Sequence, residues 1–224
     1  MIKLTRIFVV LLILIGILLS GNLIFQYINN NKTLNRIISF LQADSRIAEV
    51  LVTDVSYNEN TKKTFTTIKF LEYDIKNRPL EPRYFTFAGN IIQFQSLVVR
   101  FEDFYVKRAD PLKGKSVYLF WKVFMLDGKD TKEYEITKIK EIPAGYKIEG
   151  SKSRREEKFW ENFWKYALDF AEAKKRGIKN AQIEAPGMMF IPGTLYTLKI
   201  EHDGGIRIDS TPLAEILKGE RIPK

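Results

Sequence analysis

The 224-residue chain contains no cysteine and only one histidine, His202. Without cysteine it can form no disulfide, and it has neither a thiol nucleophile nor a sulfur-ligated metal site. A single histidine also leaves no histidine-rich metal site, and the H-E-x-x-H spacing of zinc hydrolases does not occur. We therefore predict no metal ion and no cofactor.

Motifs that mark common enzyme classes are also missing from the sequence. It has no G-x-S-x-G, no phosphate-binding lysine loop and no dinucleotide-binding glycine pattern. The adjacent His202 and Asp203 could serve acid–base chemistry, so they are weak catalytic candidates for a membrane-anchored hydrolase, although a simple turn contact explains them as well. Glu133 and Glu135 share one strand face, but the lysines around them indicate a solvated charged surface. An enzyme is therefore not our leading hypothesis.

An apolar run opens the chain and predicts a membrane helix. Residues 7–19 carry no polar side chain. Extended to Phe25, the run reaches about 19 residues, or about 28 Å of helix, which matches the hydrocarbon thickness of a bilayer. Lys3 and Arg6 precede it and asparagines follow it. These flanks predict a single-pass protein of the cell membrane with a cytoplasmic N-terminus and a periplasmic or extracellular body. No A-x-A-type pair follows the run, so we expect an uncleaved anchor.

The sequence divides into three predicted parts. Residues 1–28 form the transmembrane signal-anchor, residues 29–46 a juxtamembrane stalk helix, and residues 47–224 a single exported β-rich domain. Gly16 and Ser20 have the small-residue spacing that lets two membrane helices approach closely, which would give a homodimer through the membrane helix.

The body is predicted to be rich in strands, because β-branched and aromatic residues alternate with polar ones and turn residues separate the segments. In chain order the predicted strands are RIAEVLVTDVSY, KTFTTIKFLEY, the hairpin FTFAGNIIQF, the central strand SVYLFWKVFML and the outer strand TKEYEITKIKEI. We predict an α+β fold, mainly antiparallel β with about eight or nine strands, one long aromatic helix and an N-terminal single transmembrane helix.

The C-terminal third is predicted to hold the long helix and a last hairpin. The helix is EEKFWENFWKYALDFAEAKKRG, residues 156–177, which ends in cations and a glycine. The hairpin is TLYTLKIEHDGGIRID, in which a three-residue loop at 203–205 pairs Ile200 with Ile208. A short final helix is predicted to begin at Pro212.

The long helix also supplies the predicted binding residues. Its aromatic side chains occupy more than one face, so one set can pack on a sheet while the others meet a partner. The predicted contact residues are Trp160, Phe163, Trp164, Lys174 and Lys175. Three other interpretations remain open. The helix is simply wedged against the sheet, its surplus aromatic residues touch the membrane interface, or its tryptophans line a small-ligand pocket together with Trp121.

The charge of the chain limits the kind of partner. The formal net charge is +9, and only two of the basic side chains precede the apolar run. An exported basic body favours anionic envelope components, whereas nucleic acid would be the partner only of a cytoplasmic body; a solvated lysine-rich surface would look the same. We predict a membrane-anchored, non-catalytic envelope protein that binds a partner protein or an anionic envelope component. The alternatives are the hydrolase and a small-ligand carrier.

Overall fold

The computed structural model describes residues 14–22, 46–101, 116–127, 130–147, 154–175, 178–185, 187–201 and 205–215. Residues 14–22 are helical and exposed. No helix within these ranges is long and apolar enough to cross a membrane. The rest of the predicted signal-anchor (1–28) and of the predicted stalk (29–46) lies outside the described residues, except Arg46, which begins the first strand.

The described part of the body contains ten strands and two α-helices. The strands are β1 (Arg46–Asn58), β2 (Lys63–Glu72), β3 (Arg83–Phe87), β4 (Ile91–Phe101), β5 (Ser116–Asp127), β6 (Asp130–Glu135), β7 (Ile178–Glu184), β8 (Met188–Met189), β9 (Thr194–Ile200) and β10 (Ile206–Pro212). The helices are α1 (Arg154–Leu168) and α2 (Phe170–Lys175), and a 3-10 turn covers Ala144–Tyr146.

These strands form two antiparallel sheets. The first sheet has the order β10-β9-β1-β2-β3, and the second has the order β6-β5-β4-β7, with β8 also paired to β4. The prediction of a mainly antiparallel β protein is confirmed. Strands β7 and β8 were not predicted, because the polar residues of β7 and Pro186 between the two strands hide the alternating pattern of a strand.

The two sheets face each other across one hydrophobic core. Alternate residues of β1 and β2 point inward, so that Val50, Ile68 and Phe70 are completely buried. The Phe70 ring lies 5.8 Å from the ring centroid of Phe94 and 5.6 Å from that of Phe120, both in the second sheet. Burial of each such side chain contributes about 1.5–3 kcal/mol.

The outer face of the second sheet carries α1, so β5 is covered on both sides, as predicted. Tyr118 and Phe120 face the core between the sheets, whereas Leu119 and Trp121 face the helix. The register of β4 and β5 shifts at Gln95, and this bulge changes which later residues of β5 point to the core.

The predicted hairpin FTFAGNIIQF is wrong, because β3 and β4 belong to different sheets. Phe87 of β3 pairs with Thr66 in the first sheet, while β4 pairs with β5 in the second. The two strands bury their apolar faces in the same core from opposite sides, which a shared sheet would not allow. Gly89 lies in the connection between the two sheets and has a φ of 151°, which residues with a side chain rarely adopt. A Cβ at this position would also lie 2.9 Å from Met125 Sδ.

The predicted long helix is interrupted at Asp169. This residue leaves the helical conformation, and its Oδ1 accepts a hydrogen bond from the Glu172 amide at 3.0 Å, so it caps the start of α2. The backbone amide of Asp169 still donates to the Lys165 carbonyl at 2.9 Å. The two helices therefore follow one another closely, and the second is described as Phe170–Lys175. Residues 176–177 of the predicted helix lie outside the described residues.

The last hairpin has a different register from the predicted one. Ile206, rather than Ile208, pairs with Ile200, and the Glu201 amide donates to the Gly205 carbonyl at 2.8 Å. The loop is thus displaced by one residue along the chain. The observed partner of Ile200 lies two residues before the predicted one. Because side chains alternate with a period of two, this even difference keeps the same side chains on the core face.

The start predicted for the final helix is also wrong. Pro212 is the last residue of β10 and pairs with Thr194. The next amide, from Leu213, donates to the Gly193 carbonyl at 2.9 Å. Proline is compatible with the end of this edge strand, where the missing amide interrupts no central ladder.

Side-chain contacts define which ends of the two sheets coincide. The guanidinium carbon of Arg46, at the start of β1, lies 4.9 Å from the Tyr146 ring centroid. The Tyr146 hydroxyl donates to the carbonyl of Tyr118, the third residue of β5, at 3.1 Å. The last residues of β4 pair with the first residues of β5 and β7. We call this end, where β1, β5 and β7 begin, the basal end and the opposite one the distal end.

Candidate functional site

The aromatic face of α1 is buried against the second sheet. Trp160, Phe163 and Trp164 are 2%, 1% and 2% exposed. Their ring centroids are 5.2 Å apart for the first pair and 5.3 Å for the second, both in edge-to-face geometry. Their burial fits the packing interpretation, whereas the contact role of these three residues stays a prediction.

The three tryptophans predicted to line a ligand pocket lie in one packed layer. Trp121 is 7% exposed and belongs to the same cluster as Trp160 and Trp164. The Trp164 Nε1–H donates to the Glu141 carbonyl at 2.8 Å, whereas Trp121 Nε1 is buried without an acceptor in the described part of the chain. Ligand binding at this layer remains a prediction.

The two lysines predicted to bind a partner are accessible at the end of α2. Lys174 and Lys175 are both exposed. Lys175 Nζ lies 3.1 Å from Glu172 Oε1, and Lys165 Nζ lies 3.3 Å from Glu172 Oε2. The hydrogen bonds from Lys175 and then Lys165 lower the pKa of the Glu172 carboxyl. These are solvent-exposed pairs, so the lysines are available to an external anion.

The weak catalytic candidates His202 and Asp203 lie outside the described residues, between the paired Glu201 and Gly205, and their role stays a prediction. The predicted charged strand face is present in β6, where Glu133 is exposed and its carboxylate contacts Lys122 Nζ at 3.0 Å.

A buried ionic cluster, which the sequence analysis did not predict, closes the basal end of the core. Arg46 is 2% exposed and Glu72 is 7% exposed. One Arg46 Nη donates to the Glu72 carboxylate and the other to the Gly145 carbonyl at 3.5 Å. Arg83 lies on the other side, with its Nη2 3.6 Å from Glu72 Oε2 and its Nη1 donating to the Ile136 carbonyl. The cluster thus joins β1, β2 and β3 to the segment 136–146.

The electrostatics of this cluster favour a structural role. Burial alone lowers the pKa of the Arg46 guanidinium, but the Glu72 carboxylate raises it above its ordinary value. Burial lowers the pKa of Arg83 and raises that of the Tyr146 hydroxyl. An arginine that stays charged and shielded from solvent offers no proton to a substrate. The cluster therefore has a structural role, because it holds the start of β1 against Glu72 of β2 and Gly145. We call it the clamp.

The alternation of buried and exposed residues along β1 and β2 could have indicated this ionic cluster. Arg46 lies two residues before the buried Ala48, and Glu72 lies two residues after the buried Phe70. A period of two places both charged groups on the core face of their strands. Charged residues at strand ends are normally assigned to solvent, so only their mutual pairing across β1 and β2 explains why they turn inward.

Large apolar side chains are exposed together at the distal end of the second sheet. Ile91 and Met189 are direct cross-strand partners and are 55% and 56% exposed. Leu126 is 63% exposed. Phe124 and Gln93 are cross-strand partners, and Leu126 and Ile91 each lie two residues beyond this pair toward the distal end. Ile191 follows Met189 by two residues and is 45% exposed. We call these four residues (Ile91, Leu126, Met189 and Ile191) the distal apolar row.

No group of three or more metal-ligating side chains occurs among the residues that the structure describes. Comparison with protein families, with curated proteins and with solved structures found no match to this chain.

Proposed function

We propose that the protein is a membrane-anchored, non-catalytic envelope protein whose basic β-sandwich binds a partner protein or an anionic envelope component. The distal apolar row carries the proposal for a protein partner. Single exposed apolar residues are ordinary on protein surfaces, whereas contiguous ones indicate a contact surface. Three residues of the row lie on the neighbouring strands β5, β4 and β8, and Ile191 follows β8. The cross-strand pair of the row, Ile91 and Met189, is more than half exposed.

The position of the row supports a partner on the side away from the membrane. The anchor is predicted in residues 1–28, and the chain enters the body at Arg46, at the basal end. The row lies at the opposite end of β4 and β5. If the anchor holds the body at its basal end, the distal apolar row faces away from the membrane, toward the proteins of the surrounding envelope.

The predicted topology is tested by labelling a single introduced cysteine. The chain has no cysteine, so Asn162→Cys on the exposed side of α1 provides a reporter without background. A membrane-impermeant maleimide should label intact cells, or spheroplasts where an outer membrane blocks access, at the full-length size. Protection until lysis would place the body in the cytoplasm and overturn the proposal.

The contact role of the row is tested by site-specific cross-linking in cells. A photo-reactive residue at Met189 should give an adduct of defined size, and the same residue at Asn162 should not. Ile91→Asp, which introduces a charge beside Met189, should remove the adduct while the protein remains folded. Adducts that are equal at both positions, or that survive Ile91→Asp, would contradict binding through the row.

A further inference from the structure

Exposed apolar side chains also occur at the break between α1 and α2. Phe170 is 69% exposed and Leu168 is 41% exposed. Neither belongs to a core cluster, in contrast to Ala167 and Ala173 on the buried side. An aromatic ring at a helix start with so much free surface contributes little to stability of the described fold.

Two lysines follow these side chains on α2. Lys174 lies four residues after Phe170 and therefore on the same side of α2, and the exposed Lys175 ends the helix. We call Leu168, Phe170, Lys174 and Lys175 the basal surface. It lies at the basal end, because α2 leads into β7 where that strand begins.

Four described segments at the basal end carry an excess of positive charge. Residues 74–78, 138–147, 169–175 and 178–179 together hold eight lysine and arginine residues against four carboxylates, a net charge of +4 for these segments. The same end carries Arg46, the first residue of the body. A membrane anchor in the preceding 45 residues would thus join the body at its basic end.

We propose that the basal surface docks on the anionic lipid headgroups of the membrane that holds the anchor. The inference rests on the proposed membrane anchorage and names one anionic partner. Phenylalanine and leucine beside lysines fit the bilayer interface, where apolar side chains enter below the headgroups and ammonium groups remain among the phosphates. Each lysine near an anionic surface strengthens binding about fivefold, which corresponds to about 1 kcal/mol.

The test uses the full-length chain reconstituted in nanodiscs. A single Ala171→Cys, an exposed position next to Phe170, carries an environment-sensitive fluorophore. The control label is at Thr61→Cys in the distal turn between β1 and β2. Discs of phosphatidylcholine alone are compared with discs that also contain phosphatidylglycerol. The Ala171 label should shift to the blue in the anionic discs only, and the Thr61 label should not shift in either.

Charge and apolar contributions are separated by matched variants. Lys174→Gln with Lys175→Gln should weaken docking about 25-fold, from about fivefold for each lysine. Lys62→Gln with Lys63→Gln removes the same charge at the distal end and should leave docking unchanged. Phe170→Ala should also reduce the shift, with an unchanged unfolding midpoint because the ring is exposed.

The outcomes separate this inference from the proposed function. A chain that stays with the discs but whose Ala171 label shows no lipid-dependent shift overturns the docking and leaves the anchor intact. A label that responds to soluble polyglutamate but not to phosphatidylglycerol also overturns it, because the partner would then be a polymer. A chain that does not elute with the discs overturns the anchor and the docking together.

Discussion

Arg46 and Glu72 show how single residues determine the basal end of this protein. Moving two charges out of water costs several kcal/mol for each ion, and their attraction offsets this only when the remaining donors are satisfied. Glu72 is shared by two arginines, and Gly145 and Ile136 provide carbonyl acceptors, but Arg46 Nε is buried without an acceptor in the described part of the chain. The pair therefore specifies where segment 136–146 attaches more than it adds to net stability.

Glu72→Gln is expected to lower the free energy of unfolding by about 3–5 kcal/mol, because it leaves the Arg46 guanidinium buried without its carboxylate. Urea unfolding measures the change. Replacing both partners, Arg46→Met with Glu72→Leu, should cost less than the single change. Glu133→Gln, which removes an exposed partner of Lys122, should cost no more than about 1 kcal/mol. Equal losses in the two glutamate variants would refute the clamp.

Gly145 is required by the same guanidinium. A Cβ at this position would lie 1.8 Å from Arg46 Nη2, so Gly145→Ala must displace the side chain. We expect a loss of about 1–3 kcal/mol in the free energy of unfolding, typical of an overpacked interior. The loss should become smaller in an Arg46→Ala background, where the obstructing atoms are gone. A double-mutant cycle measures this coupling, and additive effects would contradict the proposed clash.

Tyr73 gives the protein a dependence on alkaline pH. Its hydroxyl donates to Glu49 Oε2 at 2.7 Å, and this bond, together with burial, raises the pKa of Tyr73 to about 12. The stabilisation is present below the unfolded pKa of about 10 and is lost as the pH rises through about 12. Ultraviolet titration should detect a tyrosine ionising near that value. It should be absent in Tyr73→Phe and shifted down in Glu49→Gln; an unchanged titration curve would exclude this assignment.

At the scale of elements, the free edge of the second sheet is protected by a side chain of the first. The Tyr196 hydroxyl of β9 donates to the Met189 carbonyl at 3.2 Å and accepts from the Ile191 amide at 3.0 Å. The Tyr196 ring also packs 4.4 Å from the Phe190 ring centroid. Edge strands with unsatisfied amides and carbonyls can pair with other chains. The Tyr196 hydroxyl satisfies two such backbone groups at β8 and therefore makes this edge less available for pairing.

Tyr196→Phe keeps the ring and removes these two hydrogen bonds. We expect the free energy of unfolding to fall by about 1–3 kcal/mol, because polar backbone groups of a partly buried edge lose their partner. Chemical denaturation measures the loss. Tyr57→Phe removes a hydroxyl from a residue that is 62% exposed and should change stability by less than about 0.5 kcal/mol. Similar losses in both variants would mean that the edge contact contributes nothing.

At the scale of the whole molecule, β4 and β5 belong to two cores at once. Their inner side chains fill the space between the sheets, and their outer side chains meet α1. All three tryptophans lie on the helix side, so their fluorescence reports only that layer, whereas circular dichroism reports the sheets.

We expect the two signals to give the same unfolding midpoint, because the shared strands couple the layers into one cooperative unit. Trp160→Ala should lower both midpoints together, with a loss of about 3–5 kcal/mol from removal of a buried ring. Phe170→Ala is the control on the exposed side of the helices and should leave both midpoints unchanged. If the fluorescence transition of either protein preceded the dichroism transition, the helix layer would unfold independently.

Local patterns were sufficient for much of the architecture. The alternation in β1 and β2, the two-sided apolar composition of β5 and the aromatic repeat of α1 each report which faces are buried, since burial leaves a direct mark on composition. The sequence also predicted the exposed Lys174 and Lys175 near the end of a helix, because cations are typical of that position. The sequence could not decide whether Trp160, Phe163 and Trp164 pack on the sheet or meet a partner, because an aromatic residue has the same sequence signature in both cases.

The sequence by itself determined the antiparallel β character, the positions of most strands and of the aromatic helix, and the basic charge of the chain. Only the tertiary structure decided that β3 and β4 lie in opposite sheets, that Arg46 and Glu72 turn inward, and that apolar side chains remain exposed at both ends of the sandwich. The physical reason is that strand pairing and burial between distant segments depend on contacts far apart in the chain, whereas periodicity reports only whether a face is apolar.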